Sequence, residues 1–210
     1  MRMRQHVNPL GLSFQTYRDT IPKLDSARPV EVEIGCAEAQ FLFERAVARP
    51  DSQLFGLEIR DWLVDKVNRW AKERGSGVVA LECNANLHLR TVFADESVDI
   101  VHVLFPDPWF KKRQRKRRLI DPALVADIHA ILKPGGELHF ASDVWSLAIE
   151  ALGAFEGAEE LFANKLSPWS FWKAGNPYNA RSWRESHCDE EGMKVWRMIY
   201  SRRELGPAGP

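Results

Sequence analysis

Apolar positions along the chain form short runs, separated by longer stretches with helical spacing. "VEVEIG" (Val30 to Gly35) precedes "AQFLFERAVARP", and "LFGLEI" (Leu54 to Ile59) precedes "DWLVDKVNRWAKERG", where Trp62, Val67 and Trp70 are expected to share a face. "VVALEC" (Val78 to Cys83) and "SVDIVHVLF" (Ser97 to Phe105) read as two further strands. "IDPALVADIHAILKPGG" offers Asp121 as N-cap, Pro122 at the first helical position and a Pro-Gly-Gly stop, after which "ELHFAS" reads as a fifth strand. Strands and helices alternating at this spacing predict an α/β fold, a mostly parallel sheet with helices on both faces and ligands at the carboxyl ends of its strands. Beyond Ala158 the pattern gives way to an aromatic, polar stretch, and "VWRMIYSRR" then alternates like a last strand.

A chain of 210 residues with 45% hydrophobic content can bury one substantial core. We expect one domain over 1–210, with residues 1–25 as an N-terminal arm and 159–194 as an elaboration on the substrate side. Three widely spaced cysteines, Cys36, Cys83 and Cys188, suit neither a disulfide framework nor a zinc site, and no metal is expected. With neither a signal-peptide core nor a run long enough to span a bilayer, the expectation is a cytoplasmic protein that does not engage membranes.

Charge changes the picture. The formal net charge is zero, yet Lys111 to Arg118 holds seven of the 29 basic residues, leaving 22 basic against 29 acidic elsewhere. A concentrated cationic loop on an acidic body favours a polyanion docking at one place, and nucleic acid fits better than membrane. The loop follows "FPDPW", in which Asp107 stands between two prolines that restrict its backbone.

"EIGCAEA" closes the first strand and opens a helix, where a glycine turn lets a ligand approach the backbone. Glu58 ends the second strand, the usual place for a carboxylate that accepts ribose hydroxyls. An ordinary βα turn and a solvated strand-end glutamate explain the same residues, and Glu58 does not choose between NAD and S-adenosyl-L-methionine. Against NAD stand the missing spaced glycines and the negative charge of Glu33 and Glu38 beside the turn.

"FPDPW", the adjoining lysine and "KRR", together with "EIG", "GLEIR", "LKPGGELHFASD" and "VWRMIYSR", resemble the tRNA (guanine-N7-)-methyltransferase family from about Arg4 to Arg202. "RQHVNPL" and "GLEIR" are similar to its eukaryotic members as well. The resemblance implies a Rossmann-like class I methyltransferase fold with a seven-stranded, mostly parallel sheet. It also implies S-adenosyl-L-methionine as cofactor and, as substrate, a guanosine in the tRNA variable loop, position 46 in standard tRNA numbering. Carried over by residue, cofactor contacts fall on Glu33, Gly35, Glu58 and Asn84, with Asp107 closing the site as the catalytic residue. Substrate contacts fall on Lys111, Asp143, Ser182 and Glu185, the last two within "SWRE" where the family usually reads Thr-x-x-Glu. Lys112, Arg113, Arg115, Lys116, Arg117 and Arg118 are expected to bind RNA phosphates. No obligatory protein partner is expected.

Guanine N7 carries a lone pair and no proton, so positioning should dominate catalysis, and Asp107 could accept from the N1–H and N2–H₂ edge to aim N7. A turn-capping carboxylate is the competing reading of the same residue, and function is preferred to it here. The family's Gly-x-Gly-x-Gly turn reads Gly35, Cys36, Ala37, Glu38, Ala39 here, and if either alanine position requires φ > 0 the loop is expected to differ. A noncatalytic tRNA-binding relative and a methyltransferase for another base are the competing readings. His102 reads as a satisfied strand histidine. Trp109 reads as wall or stacking surface, and Trp169, Phe171, Trp172, Tyr178 and Trp183 divide between a local core and a stacking face.

Overall fold

The structure, a computed structural model, describes residue 11 and residues 16–108 and 119–205. Trp109 and the basic run from Lys111 to Arg118 lie outside the described residues, as does most of the segment before Thr16.

Seven strands form one sheet: β1 (Val30–Ile34), β2 (Gln53–Glu58), β3 (Val78–Glu82), β4 (Val98–Leu104), β5 (Leu132–Ser142), β6 (Phe162–Asn164) and β7 (Trp196–Arg202). The helices are α1 (Gln40–Ala48), α2 (Asp61–Glu73), α3 (Ala85–Val92), α4 (Pro122–Ile131), α5 (Trp145–Glu156) and α6 (Trp183–Glu190). The spatial order is β3-β2-β1-β4-β5-β7-β6. The first five strands run parallel, and β7 is antiparallel to both neighbours. The order reverses between β1 and β4, so the crevice above their carboxyl ends is the place where such a sheet receives a ligand.

One face of the sheet packs Val30, Val32, Phe55, Val101 and Phe140 against α3, α4 and α5. The other packs Leu54, Val78 and Ala80 against α1, α2 and the Tyr178–Ala180 segment. With both faces covered, β1 and most of β7 are buried at successive positions rather than alternately.

Local signals explain the two ends of α4. The Asp121 carboxylate accepts from the Leu124 N–H at 2.8 Å and Pro122 opens α4. Pro134 disfavours helix at Lys133. The Pro-Gly-Gly stop is part of β5 and not a gap before it: the register with β4 passes from Val98↔Leu132 to Ile100↔Glu137, and the extra residues form an irregularity in the strand. The expected face of α2 is corrected too. Leu63, Val64, Val67 and Ala71 are buried while Trp62 is exposed, because residues five apart diverge by about 140° at 3.6 residues per turn. No helix among the described residues is long and apolar enough to cross a membrane.

Candidate cofactor and substrate site

Glu33 and Glu58 end adjacent strands, and both are buried. Burial, then the charge of Glu58, pushes the Glu33 carboxyl up to about 8. Its Oε2 has no hydrogen-bond partner. Glu58 is fully engaged: Oε2 accepts from the Ala37 N–H at 3.1 Å and from Arg60 Nη2 at 2.8 Å, and Oε1 accepts from Arg60 N at 3.0 Å and Nε at 2.9 Å. The Arg60 guanidinium, held above its ordinary value by this hydrogen bonding and further by the charge of Asp107, links the second strand to the loop after β4. A ribose diol would use the oxygens that Arg60 covers, so hydroxyl binding requires Arg60 to yield them.

The turn between β1 and α1 is left-handed at three positions. Gly35 has φ +80, Ala37 φ +50 and Ala39 φ +53, so both alanines occupy the left-handed region instead of forcing the loop onto another path. This corrects the expectation that alanine would alter the loop. Two backbone N–H groups, of Gly35 and Cys36, fasten the turn to the Leu57 carbonyl at 2.8 and 3.1 Å. Gly56 of "GLEIR" is required from below, since a Cβ there would lie 2.6 Å from Cys36 Sγ. Lys66 of α2 pairs with Glu38 at 2.9 Å, so Glu38 is not a free negative charge beside the turn.

Asn84 caps α3 by position, its carbonyl accepting from the Leu87 and His88 N–H groups. Asn84, Ile59 and Cys83 line a small hollow with Tyr17 and His88. A larger cavity of about 760 Å³ opens between α1 and α2, lined by Phe43, Trp70 and Arg74, and touches none of Glu33, Glu58, Asn84 or Asp143. The larger cavity therefore does not coincide with the residues expected to hold the cofactor.

After β4 the chain turns through Phe105, whose φ of +50 is a strained value for an aromatic residue, and its N–H donates to the Ala141 carbonyl at 2.7 Å. Asp107 is exposed on this turn. The same Ala141 lies two residues before Asp143, whose Oδ2 accepts from Arg184 Nε at 3.0 Å and from Nη2. Ser182 is the N-cap of α6, accepting from the Glu185 N–H at 3.2 Å. Glu185 is buried: its Oε1 accepts from Asn176 at 2.7 Å and from Arg197, while Oε2 has no partner. The Ser-x-x-Glu spacing thus also serves as a helix start, with the glutamate turned inward rather than back to the cap.

Two groups emerge, Glu33, Gly35, Glu58 and Asp107 on one side and Asp143, Ser182 and Glu185 on the other. Lys111, Lys112, Arg113, Arg115, Lys116, Arg117 and Arg118 lie outside the described residues. Sequence reading missed Arg60, Arg184, Asn176 and Arg197, the partners that hold the carboxylates.

Beneath the site, His102 is fully buried, with Nε2 3.0 Å from Glu31 Oε2 and Arg45 Nε 2.8 Å from the same oxygen. Burial pushes His102 down to about 4, so its neutral ring donates from Nε2. Burial acts upward on Glu31, but hydrogen bonds from His102 and Arg45 outweigh it and hold the carboxyl at about 2. Arg45 also donates to the Tyr178 carbonyl at 2.6 Å, tying the covering segment to the sheet. Tyr178 is core; Trp169 and Trp183 are exposed; Phe171 and Trp172 are half-buried.

The site suits a cationic amino-acid tail and a ribose: a buried, unpartnered Glu33 oxygen, a glycine turn with open space where a Cβ would stand at Gly35, and a strand-end Glu58. Residues 27–198 match the family model described as "Putative methyltransferase". A geranyl diphosphate C-methyltransferase from Streptomyces coelicolor, solved with S-adenosyl-L-homocysteine, shares the fold at a TM-score of 0.56 and 15% identity, covering 84% of this chain and 70% of that one. A tRNA (guanine-N(7)-)-methyltransferase of Parasynechococcus marenigrum (strain WH8102) is 38% identical over 214 residues, 98% of this chain and 89% of its own. One from Synechococcus elongatus is 36% identical over 212 residues, 97% of each chain. On that similarity along nearly its whole length, the chain belongs to the tRNA (guanine-N(7)-)-methyltransferase family.

Proposed function

We propose that the protein transfers a methyl group from S-adenosyl-L-methionine to N7 of a guanosine in tRNA, at position 46 of the variable loop. The observation that carries the reading is the joining of Glu33, Glu58, Arg60 and Asp107 at the strand ends of a chain with this family membership. The cofactor supplies a methyl carbon on a cationic sulfonium; the N7 lone pair forms the new bond and the carbon–sulfur pair returns to sulfur. Glu33, Gly35, Glu58 and Asn84 are read as its holders. Asp107 is read as the acceptor for the guanine N1–H and N2–H₂ edge, fixing the base so that N7 faces the methyl, which is catalysis by orientation. Asp143, Ser182 and Glu185 hold the base from the other side, where the partnerless Glu185 Oε2 is a buried acceptor in need of a donor. Residues 159–194 are then a substrate-side elaboration of one domain, working in the cytoplasm without an obligatory protein partner. Against a noncatalytic relative stands the left-handed geometry of Ala37 and Ala39, which supports an intact turn.

The test is mass spectrometry of nucleosides from unmodified tRNA incubated with protein and S-adenosyl-L-methionine, with reductive chain cleavage to map the modified base. We expect 7-methylguanosine at position 46. Asp107→Asn, which places a donor against the base donors, should lower single-turnover methylation about 100-fold or more while tRNA binding persists. Wild-type turnover in the Asn variant would remove Asp107 from the chemistry.

A further inference from the structure

Trp145 opens α5 and leaves about half of its surface exposed, at 51%. Its ring lies 4.3 Å from Trp196 and 5.7 Å from Phe171, and Phe171 lies 5.1 Å from Trp196. Lys194 places its ammonium 3.7 Å from the centre of the Trp196 ring. Three separate segments therefore converge on one aromatic platform with a cation on it. Phe171 anchors it against the main core, leaving Trp145 as the outer surface.

The platform adjoins the substrate side of the site through its own backbone. Trp145 is two residues beyond Asp143, which Arg184 holds. Trp196 precedes Arg197, which pairs with Glu185. Phe171 precedes Trp172, whose N–H donates to the Arg197 carbonyl at 2.7 Å. Trp196 pairs with Ser142 in the register of β7 with β5, so the platform lies at the same end of the sheet as Asp143, on the face opposite the Arg197 side chain.

We propose that Trp145, Trp196 and Lys194 form a stacking site for a tRNA nucleobase adjoining the target guanosine, with Lys194 on its phosphate. This rests on the tRNA reading above. Presenting a target base outside its stack leaves the next base without a neighbour, and an aromatic face with an ammonium beside it replaces both the stacking and the counterion. A protein-binding face fits less well, since interface centres are depleted in lysine. The surrounding exposure of Ile149 and Leu166 makes a second protein chain the alternative outcome.

The experiment compares wild type, Trp145→Ala, Trp145→Phe and Lys194→Ala as full chains. It measures affinity for unmodified tRNA by filter binding, cofactor affinity by calorimetry, and mass by light scattering. Trp145→Ala should weaken tRNA binding about 5- to 150-fold, the range for loss of one base–aromatic stack. Phenylalanine should restore most of it, and cofactor affinity should not move. Lys194→Ala should lower the salt slope of binding by about one. Wild-type tRNA affinity in Trp145→Ala overturns the proposal, as does a change in oligomeric mass with that variant, which would make the patch a protein interface. A wild-type protein that binds tRNA through Trp145 but forms no 7-methylguanosine would instead overturn the functional reading and leave the platform standing.

Discussion

Glu33 concentrates the electrostatic tension of the site in one residue. Fully surrounded by protein and facing Glu58, it is held neutral up to about pH 8. A carboxyl whose folded pKa lies above its unfolded value binds an extra proton in the native state between the two, so native stability falls as pH rises from about 4.5 to about 8. Glu33→Gln mimics the protonated form and should remove that dependence. Urea denaturation at pH 5.5 and 8.5 should show wild type losing about 2 to 3 kcal/mol relative to the variant. Parallel loss in both proteins would place the titration elsewhere. Cofactor affinity should rise with pH through the same range in wild type, because a cationic tail favours the ionised carboxylate, and should stay flat in the variant. Asp107 and Glu58 stood out in the sequence by their places, between two prolines and at the end of β2. Other pairings were not legible: Arg197 of β7 meets Glu185 of α6, and Arg45 of α1 meets Glu31 of β1, contacts that no local pattern encodes.

At the scale of elements, the strands other than β6 and the start of α4 could be read from apolar runs and one capping signal, whereas β6 and α6 could not. The buried positions of α6 are only Glu185 and Cys188, so no apolar stripe announces it, and Ser182 as N-cap was legible only as part of a functional motif. Strand β6 has three residues and borrows its stability from β7. The β1–α1 turn is the element where substitution and geometry disagree. Ala37 and Ala39 hold φ values that cost an L-residue roughly 1 to 2 kcal/mol each, while glycine at such a site loses about 0.4 to 1 kcal/mol through unfolded-chain entropy. The Ala37→Gly/Ala39→Gly variant should therefore be more stable by about 1 kcal/mol, read as a higher midpoint in thermal or urea unfolding. A less stable variant would mean that the alanine methyl groups contribute packing worth more than the strain, above all at Ala39, which is completely buried.

At the scale of the molecule, the charge distribution sets what the rest of the architecture has to do. Outside Lys111 to Arg118 the chain is acidic, 22 basic residues against 29, so its body repels a polyphosphate and only a local concentration of cations can hold one. That run begins four residues after Asp107, which couples the segment proposed to orient guanine to the one proposed to bind backbone. Contacts of this kind neutralise phosphates and release counterions, giving affinity with little sequence discrimination. On the readings proposed above, discrimination is left to the carboxylates and to the aromatic platform. Replacing Lys112, Arg113, Arg115 and Lys116 together with alanine should reduce the slope of log affinity against log salt by up to about 3.6, since each lost phosphate contact removes roughly 0.7 to 0.9. Cofactor affinity should be unchanged, because Glu33, Glu58 and Arg60 form their network without the run. Single-turnover methylation at saturating tRNA should fall much less than affinity does, if the run supplies docking and Asp107 supplies orientation. An unaltered salt slope would remove the run from the RNA interface, and the cations that hold the backbone would then have to be sought around Lys194 and the rim of α6.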